Sequence, residues 1–217
     1  TLVREKVCTR LDASSSLLFF AGVLQAAESI NKMVVLLSQS DIDTHFIPLL
    51  KRLSQGDWFT SRTSASALYA TAYPKASAAA QSEMRKMFAD LCHDDTPMVR
   101  RAAAKALGVS SSSLMGKGYQ LTFSLRLAFA KCFANDKQTL LSEIVPLYKK
   151  LAADDQDSVR LLTIPDLIAI AEQLPPQEVK SELNTQLTAA YTDKSWRVRY
   201  MLADHFVEVG SCPERIR

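Results

Sequence analysis

Two pairs of adjacent carboxylates, Asp94-Asp95 and Asp154-Asp155, are the residues of this 217-residue chain that could most readily do chemistry. Side by side, two aspartates can ligate a divalent cation or share general acid and general base work. The rest of the chain does not supply what either reaction needs. His45, His93 and His205 stand far apart, and no GxSxG, HExxH or glycine-rich phosphate loop ahead of a helix occurs. Cys8, Cys92, Cys132 and Cys212 form no CxxC pair, which favours reduced, buried thiols in an intracellular protein. Cys92-His93 is a Cys/His neighbour pair, but adjacent helical residues point about 100° apart and do not readily share a metal. It reads as core plus rim. Both aspartate pairs precede a helix start, where capping and pairing with arginine account for them. No metal and no cofactor is expected, and the chain reads as a non-enzyme.

The elements that carry those aspartates recur. Anchors of Val or Trp followed by Arg stand at Val3-Arg4, Trp58-Phe59-Thr60-Ser61-Arg62, Val99-Arg100, Val159-Arg160 and Val198-Arg199. Arg62 and Arg100 are 38 residues apart and Arg160 and Arg199 are 39 apart, whereas Arg4 to Arg62 spans 58 and Arg100 to Arg160 spans 60. The shorter period is that of two-helix repeats, each of which buries its apolar face only by stacking on its neighbours. The expected fold class is all-α, an α-solenoid of antiparallel two-helix repeats over residues 1–217. Such an array exists to present a surface.

The clearest repeat shows how each unit is built. Met84, Met87, Phe88 and Leu91 lie at helical spacing within Ala78 to Cys92, with Glu83, Arg85, Lys86 and Asp90 on the other face. His93 to Pro97 then breaks the helix, Thr96 is placed to cap the next one with Pro97 in its first turn, and Gly108 is placed to stop it. The same order recurs from Leu140 to Leu151, a turn over 153–157 and a helix from Ser158, and again from Val179 to Tyr191, a turn over 192–194 and a helix from Ser195. An aspartate stands six residues before the arginine each time. Asp94/Arg100, Asp154/Arg160 and Asp193/Arg199 fit a ladder in which the turn carboxylate of one repeat meets the guanidinium of a neighbour, a bidentate geometry that Arg offers and Lys does not. Pro48 and Pro146, each fourteen residues before an arginine, fall inside first helices and should bend them. Pro165 should bend the helix from Ser158 at a cost of about 3 kcal/mol unless the bend relieves it.

Periodicity, mid-helix proline, turn aspartate and Val-Arg together resemble HEAT repeats. Longer strings are more specific: 46–53 (FIPLLKRL), 56–65 (GDWFTSRTSA), 94–104 (DDTPMVRRAAA), 157–162 (DSVRLL) and 193–201 (DKSWRVRYM) resemble the scaffolding A subunits of type 2A serine/threonine protein phosphatases. The resemblance implies a non-catalytic scaffold that binds regulatory B subunits through its intra-repeat turns. It also implies consecutive repeats of the N-terminal half, with the catalytic-subunit seat on C-terminal repeats absent here. Approximate repeats are 1–40, 41–74, 75–136, 137–175 and 176–217. Turn residues expected to meet a partner are Trp58, Phe59, Thr96, Pro97, Met98, Arg100, Arg101, Asp157, Ser158, Ser195, Trp196 and Arg197, because aromatics, Met and Arg are the types enriched in interface hot spots. The competing reading of Trp58 and Trp196 is as helix-start staples packed on the next repeat. The family implies a cytoplasmic location, with the nucleus as a second one.

The two long intervals each carry 19 surplus residues, 7–25 and 109–127, and removing them restores a regular period. Their serine-rich stretches match no repeat helix, and each begins with valine, whose codons start with the bases of a splice donor. They read as translated in-frame introns, with genuine loop insertion as the alternative. A product disabled by the insertions is a third outcome. The match to the family fades after His205, so 209–217 has no assignment.

Composition sets the remaining limits. Hydrophobic residues make up 47% of the chain, enough for a sizeable core. The net charge of +3 is spread through mixed-sign segments, which argues against a nucleic-acid-binding solenoid and against one with an acidic transport-receptor face. The longest apolar run, Leu17 to Leu24, is too short to span a bilayer, so no membrane partner is expected. The start at Thr1, without a methionine or a leader, reads as a fragment of a soluble protein.

Overall fold

A computed structural model of the protein describes residues 26–108 and 129–206. The surplus segments 7–25 and 109–127, the anchor Val3-Arg4 and the C-terminal stretch 209–217 lie outside the described residues. Those that are described form helices and connecting turns, with no strand among them.

Helix α1 (26–34) leads into the paired helices that follow. The first complete pair is α2 (39–54) with α3 (59–75). Next come α4 (Ala78–Cys92) and α5 (Pro97–Leu107), the latter followed beyond the undescribed segment by the 3₁₀ turn Phe129–Phe133. Helix α6 (137–152) pairs with α7 (Asp157–Arg160) and α8 (Thr163–Ala171), and α9 (Pro176–Tyr191) pairs with α10 (Trp196–Asp204). First helices stack on first helices, as α2 on α4, α4 on α6 and α6 on α9. Second helices stack likewise, α3 on α5, α5 on α7 and α8, and α7 on α10. This two-layer stack is the α-solenoid, and its core is one continuous seam from Ala27 to Leu202.

Prolines shape the first helices in a specific way. Both α2 and α6 open into a single π-helical segment, Ile42–Phe46 and Leu140–Ile144, just ahead of Pro48 and Pro146. A proline has no N–H for its i−4 carbonyl and its ring crowds that carbonyl, so a wider turn lets the helix pass. Pro165 acts differently from expectation. The helix divides after Arg160, restarting at Thr163, so Pro165 falls in the first turn of α8 where no N–H is required.

Helix α3 also breaks, at Ala67-Leu68. Ahead of the break Thr63, Ser64 and Ser66 each donate a hydroxyl hydrogen to the carbonyl four residues back, at 2.7, 2.7 and 3.3 Å, a pattern that bends helices. The two helix-end expectations near α5 need correction. Thr96 occupies the N-cap position, but its hydroxyl caps nothing there and instead accepts from Arg62 Nη2 at 3.3 Å. Gly108 does follow α5, yet in extended backbone rather than a left-handed cap; it is small because Asp166 presses on it.

Candidate functional site

The intra-repeat turns are built around one recurring arginine. In each, the Nη1 group of the arginine donates to two carbonyls of its own turn: Gly56 and Asp57 for Arg62 at 2.8 and 2.9 Å, Asp94 and Asp95 for Arg100 at 2.8 and 3.0 Å, and Asp154 and Asp155 for Arg160 at 2.8 and 3.0 Å. The other edge of the fork, Nε and Nη2, grips the carboxylate of the next turn. Arg62 holds Asp94 at 2.6 and 3.2 Å, Arg100 holds Asp154 at 2.6 and 3.2 Å, and Arg160 holds Asp193 at 2.8 and 2.9 Å. Each aspartate Oδ1 then accepts the N–H two residues on, from Thr96, Gln156 and Ser195. One guanidinium thus closes its own turn and fixes the next, using geometry that a lysine ammonium does not have.

Arg199 repeats the inner half of this arrangement, donating Nη1 to the carbonyls of Asp193 and Lys194. The adjacent carboxylates take separate roles: Asp94, Asp154 and Asp193 enter the ladder, while Asp95 and Asp155 project to solvent. Among the described residues no group of His, Cys, Asp and Glu is arranged to hold a metal ion. His93 lies at the rim with Nδ1 against the Ala89 carbonyl, and Cys92 is in the core.

Electrostatics follow from this wiring. Burial pushes the Asp94 and Asp154 carboxyls up, but the paired guanidinium and the turn N–H outweigh it and hold both below the usual carboxylate range. For Asp193 the Arg160 guanidinium is the larger influence, and the net shift is again downward. A lowered folded value means stability that is present above the unfolded value near ~3.9 and lost as pH falls through the folded value. Below about pH 4 the melting temperature should therefore drop as these three carboxylates take up protons. A chain with Asp94, Asp154 and Asp193 all changed to Asn should start lower and lose most of that acid step.

A second, outer ladder was not anticipated. Lys51 on α2 meets Glu83 on α4 at 2.7 Å, Arg85 on α4 meets Glu143 on α6 at 2.8 Å, and Lys149 on α6 meets Glu182 on α9 at 2.6 Å. The signal was present: Glu83, Glu143 and Glu182 all stand seventeen residues before a ladder arginine. In both ladders the cation belongs to the earlier repeat and the anion to the later one. The first complete repeat carries His45 and Gly56 at the two acceptor positions. Its junction with α1 is made by Asn31 Nδ2 donating to the Ala67 carbonyl at 3.1 Å and by Lys75 Nζ gathering the carbonyls of Val34, Val35 and Leu37.

Around this frame the turn residues divide. Trp58 is 69% exposed, Trp196 65% and Met98 41%. These three apolar side chains stand at equivalent turns, with exposed Pro97, Arg101 and Arg197 beside them. Trp196 also rests edge-on against Tyr200 at 6.4 Å. Phe59 instead packs partly against the core, Ser158 is half-buried, and Arg100 and Thr96 belong to the ladder. Asp157, Ser195 and Arg197 come together: Ser195 Oγ donates to Asp157 Oδ2 at 2.9 Å, with Arg197 Nη1 3.6 Å from the same oxygen. What the arrangement offers is an edge studded with exposed apolar and cationic groups.

Fold and turns together define an array of HEAT type, and the HEAT repeat family matches residues 85–114. Sequence relatives narrow this to one kind of array. Over 188 residues the chain is 37% identical to the A-type regulatory subunit of protein phosphatase PP2A from Schizosaccharomyces pombe, covering 86% of this chain and 28% of that protein. It is 42% identical over 150 residues to a probable serine/threonine-protein phosphatase PP2A regulatory subunit of Caenorhabditis elegans, covering 69% and 22%. Over 124 residues it is 42% identical to the protein phosphatase 2A scaffold subunit of Dictyostelium discoideum, covering 57% and 18%. The chain is an all-α HEAT-repeat solenoid homologous to the regulatory, or scaffold, A subunits of protein phosphatase 2A. It spans less than a third of the length of these relatives. No helix among the described residues is long and apolar enough to cross a membrane.

Proposed function

We propose that the chain is a non-catalytic scaffold of a type 2A phosphatase assembly, working in the cytoplasm with the nucleus as a second location, and that it docks regulatory B subunits along its turns. The observation that supports this reading most is the row of exposed Trp58, Met98 and Trp196 on turns held in fixed relation by the arginine ladder. Large apolar side chains on a rigid edge lose little conformational freedom on binding, and tryptophan and arginine dominate interface hot spots. The mechanism is tethering: a phosphatase held on one frame with its regulatory partner meets a recruited substrate at raised effective concentration.

Calorimetry with a purified phosphatase regulatory B subunit tests the proposal. Trp58→Ala and Trp196→Ala should each weaken binding by about 2–4 kcal/mol, and Arg101→Glu should weaken it while leaving the melting temperature in place. Arg100 is unsuited to this test because its reversal breaks the frame itself. A cooperatively melting chain that fails to bind, or that binds equally well without both tryptophans, would overturn the reading.

A further inference from the structure

Deep in the array, away from the turns, stands a carboxyl that the scaffold does not use. Asp166, in the first part of α8, is fully buried, and among the described residues neither of its oxygens meets a donor at full hydrogen-bond geometry, the Gly108 N–H being the one nearby. The end of α5 closes over it. A β-carbon on Gly108 would lie 2.1 Å from Asp166 Oδ1 and 2.6 Å from its backbone nitrogen, so the two repeats touch here with no room to spare. Cys92 on α4 and Tyr148 on α6, both buried, are the titratable neighbours whose own ionisation the Asp166 charge disfavours.

Among the described residues no cation is placed to balance a carboxylate at this point. Arg160 on α7 is committed to Asp193 and its own turn, Lys131 in the Phe129–Phe133 turn to Glu172, and Lys149 on α6 to Glu182 on α9. Lys105 on α5 is half-buried beside Arg101, and Cys132 Sγ donates to the Ala70 carbonyl at 3.5 Å. Burial raises the Asp166 carboxyl well above its usual value, and the nearby Gly108 N–H opposes that only in part. Unpaired charge in an apolar seam is costly enough that the group stays neutral or the seam admits water.

We propose that Asp166 is a proton-gated lock between the third and fourth repeats. While the carboxyl keeps its proton, α5 and α8 stay closed on each other; when it loses the proton, the seam opens locally and exposes Cys92. The direction follows from linkage. A folded value raised above the unfolded one means that the closed form holds more protons, so closure weakens as pH climbs from the unfolded value toward the folded one. The solenoid thus carries a point at which alkalinity loosens the spacing between its two halves.

Alkylation of the whole chain at graded pH, read at Cys92 by peptide mass spectrometry, tests this against Asp166→Asn. Alkylation acts on the open form, in which both proteins present a solvated thiol, so thiolate formation with pH cancels in the ratio of their rates. That ratio, wild type over variant, should rise about tenfold per pH unit until the folded value is passed. A ratio that stays constant with pH would overturn the proposal. Hydrogen exchange on the wild type alone decides the matter if the variant does not fold. After correction for intrinsic rates, peptides from Pro97–Leu107 and Thr163–Ala171 should lose protection with rising pH while those from α2 keep theirs; equal protection at every pH would sink the idea.

Discussion

Arg160→Ala is expected to destabilise the chain by about 3–5 kcal/mol in urea unfolding, more than any single change on the exposed faces. Arg160 and Asp193 are only 8% and 10% exposed, and the substitution leaves Asp193 without its bidentate partner. The same change strands the Asp154 and Asp155 carbonyls, which Nη1 now satisfies. The damage should concentrate between the fourth and fifth repeats, since stability in a stacked array is a sum of unit and neighbour terms. Hydrogen exchange should accordingly speed up most in α9 and α10. Two controls separate the ladder from the mere loss of a cation. Arg199→Ala, which removes turn-closing bonds at an exposed position, should cost about 1 kcal/mol or less. Lys149→Ala, which breaks a half-exposed pair of the outer ladder, should cost no more than about 1 kcal/mol. If Arg160→Ala matched these controls, the inner ladder would be decoration and the apolar stack alone would hold the array.

The difference between the two ladders also explains what could be read from sequence. The turn aspartates and arginines were legible because one motif places them six residues apart and the fork geometry of arginine leaves few alternatives. Ala78–Cys92 was legible to the residue because apolar spacing and turn chemistry agree there. The outer glutamates escaped because their partners change: Lys51 and Lys149 each stand eleven residues before a ladder arginine but Arg85 fifteen, and surface pairs leave a weak pattern. Proline carried half of its message. Its presence predicts a disturbance, but whether the chain answers with a bend, a π turn ahead of Pro48 and Pro146, or a restart before Pro165 depends on what the neighbouring helix can accommodate. Exposure of Trp58 and Trp196 was undecidable from spacing, since a staple and a docking residue occupy the same place at a helix start. Asp166 was invisible for a deeper reason. Its position on α8 looks like one more polar residue, and the packing of other elements around it, with Gly108 of the preceding repeat pressed against it, turns it into a buried acid.

Phe129→Ala is expected to cost about 3–5 kcal/mol, even though the residue follows closely on the surplus segment 109–127. Its ring is fully buried and sits 5.8, 5.2, 4.6 and 5.2 Å, centroid to centroid, from Tyr69, Tyr73, Phe88 and Phe133. Edge-to-face and tilted contacts of this kind add to the burial of the ring itself. Leu107 and Gly108 are also buried, and α5 packs against Phe129–Phe133, so the residues on either side of the undescribed segment sit at neighbouring places in the core. Joining Gly108 directly to Ala128 should then preserve the array. It should also stabilise the array by about 2–3 kcal/mol, the closure entropy of a loop of roughly 19 residues. The decisive comparison is Phe129→Ala in both backgrounds. An equal penalty in the full and the shortened chain would mean that Phe129–Phe133 completes the second helix of the third repeat and that the segment between is an addition to it. A penalty that disappears on shortening would mean instead that the segment is what delivers Phe129 to the core, and the reading of 109–127 as dispensable would fall.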